Sequence, residues 1–70
     1  MNWIATPDSS NIAQFAYDEK SQVLFIEFRN GGRYQYFDVP EPVFDAMKVA
    51  GSKGQYFAQS VKGVFRYSRV

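Results

Sequence analysis

The 70-residue sequence contains no cysteine and no histidine. Without thiols there are no disulfides to brace a small domain, and zinc sites built on thiolates are excluded. Without imidazole, the commonest metal ligand and the usual general base at neutral pH are both missing. The lack of cysteine also gives no sign of a secreted, oxidised environment. Long apolar runs are absent as well. The longest, Val23 to Ile26, is far short of the roughly 20 residues that a membrane-spanning helix needs, so no membrane partner is expected. Met1-Asn2-Trp3-Ile4 lacks the basic region of a signal peptide, and the expected location is the cytoplasm.

Aromatic side chains are plentiful instead. Phe, Tyr and Trp make up 19% of the chain. Each buries a large area, so a few can fill a core. That matters, because a core of this size rarely supplies more than about 3–5 kcal/mol of net stability. Net charge is +1, but it is unevenly spread. Residues 1–47 carry three cations against seven carboxylates, whereas residues 48–70 carry Lys48, Lys53, Lys62, Arg66 and Arg69 and no carboxylate. Such asymmetry marks either a footprint for an anionic partner or a solvated basic tail.

No repeat or low-complexity segment interrupts the chain, which is read as one domain, 1–70. Ile12 to Tyr17 reads as a first strand and Asp18-Glu19-Lys20-Ser21 as a polar turn. Val23 to Phe28 is the clearest strand, with Leu24, Ile26 and Phe28 on one face and Val23, Phe25 and Glu27 on the other. Asn30-Gly31-Gly32 is a hairpin signal and Arg33 to Asp38 the returning strand. Val39-Pro40-Glu41-Pro42 ends the sheet and opens a helix over about residues 41–50, which Gly51 ends. Ser52 caps a second helix over about 53–61, and Gly63 breaks it. Val64 to Tyr67 is open between a short edge strand and coil. The expected fold is α+β: a three-stranded antiparallel β-meander followed by two short helices packed on one face.

The hairpin register decides which face Tyr34 and Tyr36 occupy, because a one-residue slip flips every side chain of a strand. A two-residue loop, Asn30-Gly31, puts them on the sheet face away from Leu24 and Ile26. A three-residue loop, Asn30 to Gly32, pairs Phe28 with Tyr34 and Ile26 with Tyr36, and it is preferred because it builds the larger aromatic core. It also sets Arg29 beside Arg33, a repulsive pair.

One ordered set of residues is familiar. Ser9-Ser10, Ile12, Tyr17-Asp18 and Leu24-x-Ile26-x-Phe28 come first. After Asn30-Gly31 follow Tyr34-x-Tyr36, Val39-Pro40, Val43-Phe44, Ala50-x-Ser52-x-Gly54-x-Tyr56-Phe57 and Val61-Lys62. Over residues 3–67 this resembles the KTSC domain, a family named for the C-terminus of lysyl-tRNA synthetase. Other members are free-standing single-domain proteins of bacteria and phages, and the resemblance suggests that form here. It implies a central Tyr-x-Tyr motif, Tyr34 and Tyr36, and through the synthetase connection it suggests RNA binding. The family's Tyr-Phe pair is commonly followed by Asn, where this chain has Ala58.

No enzyme machinery is visible. The carboxylates are scattered over turns and helix starts, and Ser9, Ser10 and Ser52 have no histidine to activate them. Gly51-Ser52-Lys53-Gly54 precedes a helix but lacks Walker spacing. The expectation is a non-catalytic binding module with no metal, no cofactor and no small-molecule substrate. RNA or another nucleic acid leads as partner, because aromatics that stack bases interleave with cations that track phosphates. The candidate residues are Tyr34, Tyr36, Lys53, Tyr56, Lys62, Arg66, Tyr67 and Arg69. Phe28, Phe44 and Phe57 are assigned to the core, as are Tyr34 and Tyr36. Arg66, Tyr67 and Arg69 are the strongest functional candidates, since chain ends remain accessible. The alternative is a protein-interaction or homo-oligomerisation module acting through Val23, Phe25 and Phe37, unless Trp3 and Ile4 or Phe65 and Tyr67 cover that face.

Overall fold

The computed structural model describes residues 1–70. Its elements are β1 (Ile4–Ala5), β2 (Ile12–Asp18), β3 (Val23–Phe28), β4 (Arg33–Tyr36), α1 (Glu41–Val49), α2 (Lys53–Ser60) and β5 (Tyr67–Arg69). All strands are antiparallel and lie in sequence order in one sheet. The fold is therefore α+β with two helices, but the sheet has five strands rather than three. The two additional strands are β1, which is not expected from the sequence, and β5, which begins at the end of the Val64 to Tyr67 stretch open between edge strand and coil; they have two and three residues, too few to show an alternating pattern. Each forms against an edge already present: Ile4 pairs with Phe15 and Tyr67 with Tyr36.

The hairpin register also differs from both expectations. Phe28 N–H donates to the Gly32 carbonyl at 2.8 Å, and Gly31 N–H donates to the Phe28 carbonyl at 2.9 Å. The loop is thus Arg29-Asn30-Gly31, with Gly31 at φ 95°, the left-handed position that closes a three-residue loop. Ile26 faces Tyr34 and Leu24 faces Tyr36. Relative to the three-residue loop expected, the partner slips by two residues, which keeps both tyrosines on the Leu24–Ile26 face. Electrostatics favours the slip. Glu27 now faces Arg33, 3.6 Å away, where the expected register set two arginines side by side.

The helices lie on that same face. Met47 of α1 and Phe57 of α2 pack on Phe15, Leu24, Ile26 and Tyr36, and Ile12, Val39 and Val61 complete the core. A bulge between Ile12 and Gln14 in β2 lets Ile12 and Phe15, three residues apart, point the same way. Pro40 and Pro42 open α1, where their fixed φ suits a first turn. Its end differs from expectation: Ala50, extended at φ −65° and ψ 139°, stops it, and Gly51 does not adopt positive φ. Ser52 Oγ caps α2, accepting from Gln55 N–H at 3.3 Å. Neither helix is long and apolar enough to cross a membrane.

The other sheet face has no helix on it. Trp3 packs on Phe25 at 6.2 Å between ring centroids, and the Arg33 guanidinium lies 5.1 Å from the Trp3 ring. Trp3 alone of the four candidates covers this face. Ile4 and Phe65 pack against the core cluster, and Tyr67 meets Tyr34 and Tyr36.

Candidate functional site

Strand alternation sorts the aromatic and basic residues near the end of the sequence into two groups. Tyr36 pairs with Tyr67 and Tyr34 with Arg69, all on the helix side. Arg66 lies beside Phe37, whose N–H donates to the Arg66 carbonyl at 2.9 Å, on the other side.

On the helix side, Phe57 of α2 meets Phe28 and Tyr36 edge to face, at 5.6 and 5.3 Å. There the helix layer stops. Gly63, at φ 78°, turns the chain toward β5. Between this turn, the β3–β4 hairpin and β5 a hollow of about 350 Å³ opens, walled by Phe28, Tyr34, Tyr36, Phe57 and Tyr67. Asn11, Asn30, Ala58, Lys62 and Gly63 form the rest of its lining. Tyr36 is the floor, 5% exposed, while Tyr67 is the exposed wall at 62%. Tyr67 lies 5.8 Å from Tyr34 and 5.6 Å from Tyr36, ring to ring.

The charge at the hollow is of one sign. No carboxylate lines it. Of the five cations in residues 48–70, Lys48 pairs with Asp45 at 3.1 Å and Arg66 with Asp38 at 3.0 Å. Lys53 Nζ donates to the Ala50 carbonyl at 3.2 Å. The two whose side chains make neither an ion pair nor a hydrogen bond are Lys62, at the rim, and Arg69, whose guanidinium lies 5.9 Å from the Tyr34 ring.

Burial pushes the Tyr36 phenol above its ordinary value of 10.0, and the neighbouring Tyr34 and Tyr67 phenols raise it further. Tyr17 is raised by burial first and then by Glu41, its hydroxyl donating to the Val39 carbonyl at 2.6 Å. Folding therefore favours the neutral phenols. The stability they confer is complete below pH 10 and is lost as pH rises past it toward their folded-state values. We expect the melting temperature to fall on that alkaline limb, and Tyr36→Phe to flatten the fall. Melting curves across the limb check this.

The hollow gathers Tyr34, Tyr36, Lys62 and Tyr67, with Arg69 at its edge. It does not gather the other three candidates. Arg66 is on the opposite face, 5.4 Å from the Phe37 ring. Lys53 lies in a separate cleft with Ser9, Gly51 and Ser52, and Tyr56 is half-buried against the core. Val23, Phe25 and Phe37 are half-buried on the helix-free face. Sequence reasoning missed Asn11 altogether, treated Asn30 only as a turn residue, and placed Phe28 and Phe57 in the core, where they do pack while also walling the hollow.

Asn11 is held from behind by α2. A Cβ added at Gly54 would stand 2.7 Å from Asn11 Oδ1, a distance real contacts do not reach. Gly54→Ala should leave the fold intact, because the helix gains about 1 kcal/mol from the alanine while the end of the Asn11 side chain gives way. The Asn11 side-chain amide signal should then shift in an NMR spectrum, and an unmoved signal would contradict the contact.

The model of the KTSC domain family matches residues 8–67, a span that contains every residue lining the hollow. The chain belongs to the KTSC domain family. This KTSC domain is 44% identical over 64 residues to lysine–tRNA ligase of Nostoc punctiforme and 41% identical over 64 residues to that of Trichormus variabilis. Each match covers 91% of the chain but only 11% of the ligase. A protein of Tsukamurella paurometabola is 39% identical over 59 residues, covering 84% of this chain and 88% of that one. The crystal structure of a KTSC domain protein from Yersinia pestis is similar with a TM-score of 0.93 at 35% identity, covering 99% of this chain and 96% of that one.

Proposed function

We propose that this KTSC domain is a non-catalytic module of the cytoplasm that binds single-stranded RNA, with the hollow over Tyr36 as the site where a base is held. One observation carries the reading: the aromatic hollow is flanked by Lys62 and Arg69, which make no ion pair, and no carboxylate lines it. Stacking a base on an aromatic side chain contributes about 1–3 kcal/mol, and cations beside the ring hold the phosphates. The hollow's size falls within the roughly 300–1,000 Å³ of ligand sites, enough for a planar ring. The likeness to a stretch of ligases named for tRNA supports RNA as the partner.

Fluorescence anisotropy of a labelled single-stranded RNA tests this directly. Two phosphate contacts on a single strand give a slope of about −1.4 in log affinity against log salt. No anisotropy change at low salt would reject the reading. The helix-free sheet face favours a second reading, a contact with another protein or a second copy through Val23, Phe25 and Phe37. Trp3 and the Arg66–Phe37 contact already cover part of that face, which makes it the weaker one. Such binding would be nearly indifferent to salt and sensitive to Phe25→Asp.

A further inference from the structure

Asn30 and Gly31 are exposed at the tip of the β3–β4 hairpin, and Asn30 also lines the hollow. An asparagine followed by glycine is open to attack on its side-chain amide by the glycine's own backbone nitrogen, because glycine has no side chain in the way. The space about Gly31 is free: a Cβ built there would meet nothing within 4 Å. The carbonyl under attack is already polarised. Asn30 Oδ1 accepts from Gly32 N–H at 2.9 Å, and that donor is in place for the negative charge that develops on the oxygen during attack. One bond opposes the reaction, from Gly31 N–H to the Phe28 carbonyl at 2.9 Å. It lies at an exposed loop tip, where local opening costs little. The other two asparagines are placed differently. Asn2 precedes the bulky Trp3. Asn11 precedes Ile12, which is fully buried and whose N–H is held by Ser9 Oγ at 3.0 Å.

We propose that Asn30 deamidates spontaneously in the folded chain, and that the carboxylate so formed weakens the hollow's hold on RNA. Gly31 N gives up its proton to solvent base and bonds to Asn30 Cγ. The bond from Cγ to the amide nitrogen breaks, and ammonia leaves. Water then opens the resulting succinimide. Cleavage between Cγ and the ring nitrogen gives an aspartyl residue, and cleavage at the main-chain carbonyl gives an isoaspartyl one. The only co-reactant is water, and nothing is oxidised or reduced.

The consequence follows from the charge of the site. No carboxylate lines the hollow, and deamidation adds one, ionised at neutral pH, to a lining that has Lys62 at its rim. The isoaspartyl form also lengthens the main chain by a methylene inside a three-residue loop. The change runs one way, so it limits the working life of the site. This second half rests on the RNA reading above; the deamidation itself does not.

The test ages the whole folded chain at neutral and at mildly alkaline pH, maps its peptides by mass spectrometry, and titrates fresh and aged chain with labelled single-stranded RNA. The amide-to-acid mass change should appear at Asn30, faster at alkaline pH because the deprotonated nitrogen is the nucleophile, with Asn2 and Asn11 unchanged. The deamidated chain, and Asn30→Asp made directly, should bind RNA about tenfold more weakly, equivalent to about 1.4 kcal/mol. Asn30→Gln, whose longer side chain closes the ring poorly, should keep its affinity on ageing. An unchanged Asn30 in the folded chain overturns the proposal, whether or not the chain deamidates in urea. Deamidated chain that binds RNA as tightly as fresh chain overturns the second half. If fresh chain binds no RNA, the RNA reading falls and the second half falls with it, while the mass alone decides the first.

Discussion

Phe15→Ala unfolds this domain. Phe15 is the largest fully buried side chain. It sits opposite Ile26 in the sheet and meets Phe44 of α1 edge to face at 5.9 Å, so it joins the sheet to the first helix. Truncating a buried phenylalanine costs about 3–5 kcal/mol in lost transfer energy and cavity formation. A domain of this length, without disulfides, has a total net stability of about the same size. The loss therefore leaves no cooperative folded state at room temperature. Circular dichroism against temperature checks this, and a cooperative transition at nearly the original midpoint would contradict it. Val49→Ala serves as the control. Val49 is 83% exposed, and its removal should change stability by less than about 0.5 kcal/mol.

The second large effect concerns binding. Lys62→Glu with Arg69→Glu should reduce affinity for single-stranded RNA by about a hundredfold, two charge-assisted contacts at about 1.4 kcal/mol or more each. Neither side chain makes an ion pair in the fold, so the melting temperature should barely move. Arg66→Glu is the informative comparison. It adds the same charge close by in sequence, but on the face away from the hollow, where it disrupts the exposed pair with Asp38 and the contact with the Phe37 ring. It should weaken RNA binding several-fold at most, through screened long-range repulsion. Anisotropy titrations of the two proteins separate the cases. Equal losses would mean that general charge, and not the hollow, governs binding.

The contrast between Arg66 and Arg69 shows where the sequence stops informing. Composition groups Arg66, Tyr67 and Arg69 together. Only strand alternation separates them, and Tyr67-Ser68-Arg69 is a strand only because β4, some thirty residues earlier, offers it an edge. Nothing local encodes that pairing. Val23–Phe28, by contrast, is legible to the residue, because β-branched and aromatic residues alternate across it. The helix limits are legible within a residue or so, through Pro40, Pro42 and the Ser52 cap. The face of Tyr34 and Tyr36 is legible from the preference for a larger aromatic core. Their exact partners are not, since Asn30-Gly31-Gly32 permits glycine at the closing position in more than one register. The hollow depends on three things at once: where α2 ends, how Gly63 turns the chain, and where β5 docks. Asn11 joins it because its backbone carbonyl accepts from Arg29 N–H at 2.8 Å, which sets it beside the hairpin.

The central claim is that the hollow, and not the opposite sheet face, takes up single-stranded RNA. An NMR titration of the isotope-labelled chain with a short single-stranded RNA, at low and at physiological salt, tests it most directly. The account predicts shifts at Tyr34, Tyr36, Lys62, Tyr67 and Arg69 and at the side-chain amides of Asn11 and Asn30, weakening as salt rises. Shifts gathered on Val23, Phe25 and Phe37, or an unchanged spectrum at low salt, would contradict it.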